Sequence, residues 1–126
     1  MFPVPMPITR RLPSASVATD NSYDTAGTAR NLELCPRIRP TPWVLVRGSA
    51  VLGLCEAACG RVDLYFHTAL QPWDNAAAFL IVRGAGGRVA AFDGADADFL
   101  TSSAIAGNAT LVEQCVRCFQ SDTGAR

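Results

Sequence analysis

Apolar residues fall along the chain in short blocks whose spacing switches between the period of strands and that of helices. Ala15-Ser16-Val17-Ala18-Thr19 predicts a short strand, with Asp20-Asn21-Ser22 as the turn after it. Asp24 is placed to cap a helix running to Leu34, which Gly27 weakens and Pro36 ends. Pro36, Pro40 and Pro42 mark a connector. The β-branched, unbroken run Trp43-Val44-Leu45-Val46 predicts a buried strand that stops at Arg47-Gly48. Ser49 then caps a helix with an apolar stripe of Ala50, Val51, Leu54, Cys55, Ala58 and Cys59, and Gly60 ends it.

Val62-Asp63-Leu64-Tyr65-Phe66 alternates as a strand, and Gln71-Pro72-Trp73-Asp74 opens a second helix that continues to the neighbourhood of Arg83. Residues 76–82 leave this helix almost no polar side, the pattern of a helix sandwiched between layers. Gly84-Ala85-Gly86-Gly87 stands in helix-to-strand order, the reverse of a phosphate loop, and terminates the helix. Arg88–Phe92 and Ala104–Ala106 predict two more strands separated by an Asp93-Gly94 turn. Asn108 caps a terminal helix striped by Leu111, Cys115, Cys118 and Phe119. No repeat of fixed period is present. Alternating strands and helices predict a layered α/β domain over residues 15–120, with a largely parallel or mixed sheet of five or so strands flanked by helices. The Pro-rich residues 1–14 are expected to form a disordered tail, and 121–126 a second tail.

The 126 residues carry eleven basic and eleven acidic side chains, enough chain for one domain and no net charge. That balance excludes the cationic surplus of a nucleic-acid binder. No run approaches the roughly 20 apolar residues of a membrane span. The apolar N-terminus is broken by prolines and precedes Arg10-Arg11, the reverse of a secretory signal. The five cysteines sit within apolar stripes, as reduced thiols in a cytoplasm do, so a cytoplasmic location is expected.

Few side chains are placed for chemistry. Asp74 lies in the opening turn of an apolar helix, where an acid gains from the helix dipole and where a carboxylate also suits a hard cation. Gly48-Ser49-Ala50 joins a strand to a helix, the order in which free backbone N–H groups receive an anion or hydroxyl, or in which a serine simply caps. His67 is the only histidine, so two-histidine chemistry is excluded. Cys55, Cys59, Cys115 and Cys118 can be drawn as a zinc site, but both pairs coincide with helical apolar stripes and read as small hydrophobes. Asp93, Asp96 and Asp98 read as a solvated acidic loop.

Taken together, several segments resemble the C-terminal half of the inositol monophosphatase family of Mg²⁺-dependent phosphomonoesterases. They are Gly48-Ser49-Ala50 through Leu54-Cys55, Ala58-Cys59-Gly60-Arg61-Val62-Asp63-Leu64-Tyr65-Phe66, Pro72-Trp73-Asp74-Asn75-Ala76-Ala77, and Gly86-Gly87-Arg88-Val89 with Phe92-Asp93-Gly94. Val17-Ala18-Thr19, Tyr23-Asp24 and Ala29-Arg30-Asn31-Leu32 are similar to the strand and helix before this block. The resemblance implies that Asp74 ligates a catalytic Mg²⁺ ion, and that Gly48, Ser49 and Ala50 belong to the wall holding the substrate alcohol. His67 stands where many members place a glutamate against the substrate. Arg47 directly precedes Gly48, where an apolar residue is usual, and Asp20 replaces a glycine.

The family's remaining metal ligands and its phosphate-binding turn, a Glu-Glu element and an Asp-Pro-Ile-Asp-Gly-Thr type motif, belong to an N-terminal half that these residues do not include. The expectation is therefore a sugar- or polyol-phosphate phosphatase half that hydrolyses little or nothing alone, with a homodimer or a complementary chain as partner. The alternative is a non-catalytic α/β interaction module that pairs with a second chain through apolar surface around Phe79 to Val82.

Overall fold

The computed structural model describes residues 11–38 and 43–124, with the backbone alone for Pro13, Trp43 and 121–124. Five strands, β1 (Ser16–Thr19), β2 (Trp43–Val46), β3 (Leu64–His67), β4 (Arg88–Ala91) and β5 (Ala104–Gly107), form one mixed sheet in the order β2-β1-β3-β5-β4. β1 pairs in parallel with β2, Ser16 opposite Trp43 and Thr19 opposite Val46, and in parallel with β3. β5 runs antiparallel to both β3 and β4. Four helices flank the sheet: α1 (Thr25–Glu33), α2 (Ala50–Cys59), α3 (Pro72–Gly84) and α4 (Ala109–Gly124).

Strand side chains alternate between faces, and each face has its own core. Leu54 and Ala57 of α2 and Ala78, Phe79 and Val82 of α3 pack on Ala18, Tyr65 and Val89. Leu111, Val112, Cys115 and Phe119 of α4 pack on Val17, Leu64, Phe66 and Ile105 from the other side. β3 is therefore buried at all four positions. Its alternation reflects two covered faces rather than one, and the strand lies two residues beyond the expected start at Val62.

The helix boundaries follow their caps. Asp24 Oδ1 accepts the Gly27 N–H at 2.6 Å, Ser49 Oγ accepts that of Leu52 at 3.2 Å, and Asn108 Oδ1 accepts that of Leu111 at 2.9 Å. Gly60, with φ of 85°, closes α2 in the left-handed conformation that only glycine adopts without strain.

Several expectations are corrected. Packing begins before residue 15: Leu12 opens a single 3-10 turn (Leu12–Ser14), is buried against α4 and donates its N–H to Gln114 Oε1 at 3.1 Å. Residues 1–10 lie outside the described residues, as do Pro40 and Pro42. The terminal helix extends to Gly124, into the stretch expected as tail. β2 is not a buried strand but the edge of the sheet, with Val44 and Val46 42% and 46% exposed. The buried stripe of α2 is rotated to Gly53, Leu54, Glu56, Ala57 and Ala58, leaving Val51 and Cys59 exposed. α3 is an outer-layer helix, because the sheet and α2 cover one side and leave Leu80 and Ile81 exposed.

Candidate functional site

β1, β2 and β3 are parallel, so their carboxyl ends share one edge of the sheet. The chain leaves β1 toward β2 on one side and leaves β3 toward β4 and β5 on the other. That divergence opens a crevice at the strand ends, the place where open α/β sheets bind ligands. A cleft of about 350 Å³ occupies it. Its walls are Asn21, Ser22 and Tyr23 after β1, Gly48, Ser49 and Ala50 after β2, and His67, Ala69 and Leu70 after β3, with Asp74 of α3 beside them. All five residues expected at the site, Gly48, Ser49, Ala50, His67 and Asp74, therefore meet in one cleft.

Asp74 is half-buried, lines the cleft and shares its field with Tyr65 and His67. Its backbone N–H is spent on the Gln71 carbonyl, the first bond of α3, whereas its carboxylate accepts no hydrogen bond from another described residue.

His67 is committed internally. Its Nδ1 accepts the Ala69 N–H at 2.9 Å, which makes Nε2 the protonated nitrogen, and Nε2 donates to the Asn21 carbonyl at 3.3 Å. Burial lowers the imidazole's pKa below its usual value, opposed in part by the Asn21 carbonyl, Asp20 and Asp74. The ring stacks with Tyr65 at 6.4 Å between centroids. His67 thus contributes a neutral wall.

Behind the cleft lies a polar layer that the linear pattern does not single out. Asp20, 1% exposed, accepts the Arg47 and Gly48 N–H groups through Oδ1 at 2.8 and 2.5 Å and the Tyr65 hydroxyl through Oδ2 at 2.8 Å. Burial first, then Asp20 and Asp74, push the Tyr65 hydroxyl's pKa well above its ordinary range, keeping it a donor. An acid at the carboxyl end of a strand that heads a parallel pair is the signal for this layer, but it becomes legible only once the strand order is known. The Arg47 guanidinium turns away from the cleft to Glu56, Nη2 to Oε2 at 2.5 Å.

Among the described residues the cleft lining therefore includes one acid and no lysine or arginine. An anion such as phosphate meets no cationic side chain of the described residues there. Asp74 suits one position in the shell of a hard divalent ion, which is commonly held by one or two carboxylates completed by waters and substrate phosphate. Among the described residues no group of three or more His, Cys, Asp or Glu side chains converges on a metal position. The cysteine pairs of α2 and α4 lie on opposite faces of the sheet, and Asp93, Asp96 and Asp98 bond within their own loop or to Arg88.

The fold and the cleft define a mixed α/β protein with a crevice at its parallel strand ends. The family model described as the inositol monophosphatase family matches residues 5–122, and the chain belongs to that family. It is 35% identical over 114 residues to the inositol-1-monophosphatase of Synechocystis, covering 89% of this chain and 40% of that protein. To the Nus factor SuhB of Escherichia coli it is 48% identical over 66 residues, which are 52% of this chain and 25% of SuhB. The solved inositol monophosphatase of Anabaena superposes with a TM-score of 0.83 at 30% identity, covering 94% of this chain and 48% of that one. The chain thus spans about half the length, or less, of the relatives it matches. No described helix is long and apolar enough to cross a membrane.

Proposed function

We propose that the cleft is the metal-and-alcohol side of a phosphomonoesterase site for a sugar or polyol phosphate. In this reading Asp74 is one ligand of a Mg²⁺ ion, and Gly48, Ser49, Ala50 and His67 form the wall beside the substrate's alcohol portion. The observation that carries it is the Asp74 carboxylate, which no described residue engages, in a cleft whose described lining holds no cationic side chain. When bound, the ion neutralises phosphate charge and activates water. The chain's own residues orient: Ser49 and Asn21 offer hydrogen-bonding groups to hydroxyls, and the neutral His67 ring excludes water without repelling either ligand.

One carboxylate does not position a phosphate, a cation and a water together, and phosphoryl transfer depends on that positioning. The 126-residue chain is therefore expected to release no phosphate from inositol monophosphate above the buffer rate. Mg²⁺-dependent release that Asp74→Asn abolishes would overturn this expectation. Ion binding is tested separately: Mn²⁺ added to ¹⁵N-labelled chain should broaden the amides of Asp74 and Asn75, and Asp74→Asn should remove the effect. Equal broadening in the variant sinks the ligand assignment.

A second reading, a module that pairs with another chain, is favoured by apolar surface on α3 and the loop after β4. Leu80, Phe99 and Leu100 are 68%, 54% and 66% exposed, an arrangement common at protein contacts. The patch is narrower than the sequence suggests, because Phe79 and Val82 are core. Sedimentation showing a monomer at all concentrations, unchanged by Leu80→Ser, counts against self-pairing.

A further inference from the structure

The three walls of the cleft come from distant parts of the chain, and strand pairing fixes the strands rather than the loops beyond them. The 47–49 turn is exposed, and a Cβ built on Gly48 would meet nothing within 4 Å. Packing therefore does little to hold this turn.

The Arg47 side chain is tied to Glu56, and the turn's backbone is held by a buried carboxylate. Asp20 Oδ1 takes two N–H groups of the turn, from Arg47 and Gly48, while Oδ2 takes the Tyr65 hydroxyl. The Asp20 carbonyl accepts Asn31 Nδ2 at 2.6 Å, and Asn31 Oδ1 accepts the Thr68 N–H at 2.9 Å, so the same residue is linked to the loop after β3. Tyr65 in turn stacks on His67, which is bonded to Asn21 and Ala69. Each wall is one or two contacts from Asp20.

We infer that Asp20 is the positioning residue of the cleft: its carboxylate sets Ser49 and Ala50 at a fixed distance from Asp74, Asn21 and His67. The inference rests on the reading of the cleft as the ligand site. The chemistry is specific to an acid or its amide. Alanine leaves two turn N–H groups and the Tyr65 hydroxyl unpaired, and loss of such partners costs more than the bond itself contributed. Asparagine still presents an oxygen to both N–H groups and an N–H to the Tyr65 oxygen, preserving the geometry without the charge.

The test compares ¹⁵N spectra of the full 126-residue chain as wild type, Asp20→Ala and Asp20→Asn, with Mn²⁺ as the probe. The ratio of broadening at Ser49 and Ala50 to that at Asn75 should fall several-fold in Asp20→Ala and return in Asp20→Asn. A staple that supports the fold alone lowers the melting temperature without changing that ratio, so an unchanged ratio overturns the inference. Amide exchange at Arg47 and Gly48 tests the same point without metal: it should be faster in Asp20→Ala and restored in Asp20→Asn, and an unchanged rate defeats the inference. Absence of broadening in the wild type refutes the metal role of Asp74, and exchange then still decides the role of Asp20. Should Asp20→Ala not fold, the Gly48 amide proton decides. It should move upfield in Asp20→Asn as its charged acceptor becomes neutral, and an unmoved resonance overturns the assignment.

Discussion

Arg47 Nη2 lies 2.5 Å from Glu56 Oε2, an ion pair that fastens the β2–α2 turn to the helix it precedes. Glu56 is buried, and its second oxygen, Oε1, has no hydrogen-bond partner among the described residues. Arg47→Met therefore strands a carboxylate in the interior and should destabilise the fold by about 1.5–3 kcal/mol, the range for a hydrogen bond to a charged group. Adding Glu56→Met should recover most of that loss, since it removes the buried charge that Arg47→Met leaves unpaired and puts an apolar side chain of similar volume in its place. Urea unfolding of the single and double variants measures both. A double variant no more stable than Arg47→Met would show that the stranded charge is not the cause.

Gly53 and Gly84 predict opposite outcomes for the same substitution. A Cβ on Gly53 would fall 2.3 Å from Tyr65 Cε1, and that ring cannot swing aside while its hydroxyl is bonded to Asp20. Gly53→Ala should lower stability by about 1–3 kcal/mol despite the better helix former. Gly84 ends α3 with open space around it, so Gly84→Ala should raise stability by about 0.5–1 kcal/mol. Thermal melts of the two variants decide, and a gain for Gly53→Ala would mean that Tyr65 repacks freely.

The local rules were readable in the residues themselves. Asp24, Ser49, Gly60 and Asn108 mark helix ends by chemistry confined to one turn, and the structure puts boundaries there. The resemblance carried by Gly48-Ser49-Ala50 and Pro72-Trp73-Asp74 brought together Gly48, Ser49, Ala50 and Asp74, which line one cleft, while Pro72 and Trp73 stand outside its lining. What was not readable depends on distant partners. Cys59 has the spacing of a core residue, yet Glu56 takes the inward position because Arg47 neutralises it. Val44 and Val46 have the composition of a central strand, but the strand order leaves them at an edge. Asp20 reads as a turn residue and, in the resemblance, as a departure from glycine near the pocket, but its bonds to Arg47, Gly48 and Tyr65 become legible only when β1, β2 and β3 are seen side by side.

Thr19 offers a stabilising change. It is fully buried at the end of β1, and its Oγ1 has no hydrogen-bond partner among the described residues. Valine keeps the β-branched shape and removes the unpaired hydroxyl, whose burial costs about 1–3 kcal/mol. Thr19→Val should therefore raise stability by about 1 kcal/mol, read from urea unfolding. A loss instead would mean that the hydroxyl is hydrated in solution.

His67 makes stability depend on pH in a definite direction. Burial lowers its pKa in the folded chain below the ordinary 6.5, so the unfolded chain takes up the proton first as pH falls. Between the two values the unfolded state binds more protons, and stability drops with falling pH. The contribution is complete above the unfolded value and is lost as pH falls from there to the folded one. Protonation would also put a second donor at Nδ1, facing the Ala69 N–H that it now accepts. The wild-type melting temperature should fall between about pH 7.5 and pH 5.5, above the range where carboxylates titrate. His67→Gln, uncharged throughout, should flatten that segment, and because His67 is the only histidine no other imidazole can mask the change. A slope identical in the two proteins would show that His67 does not carry the effect.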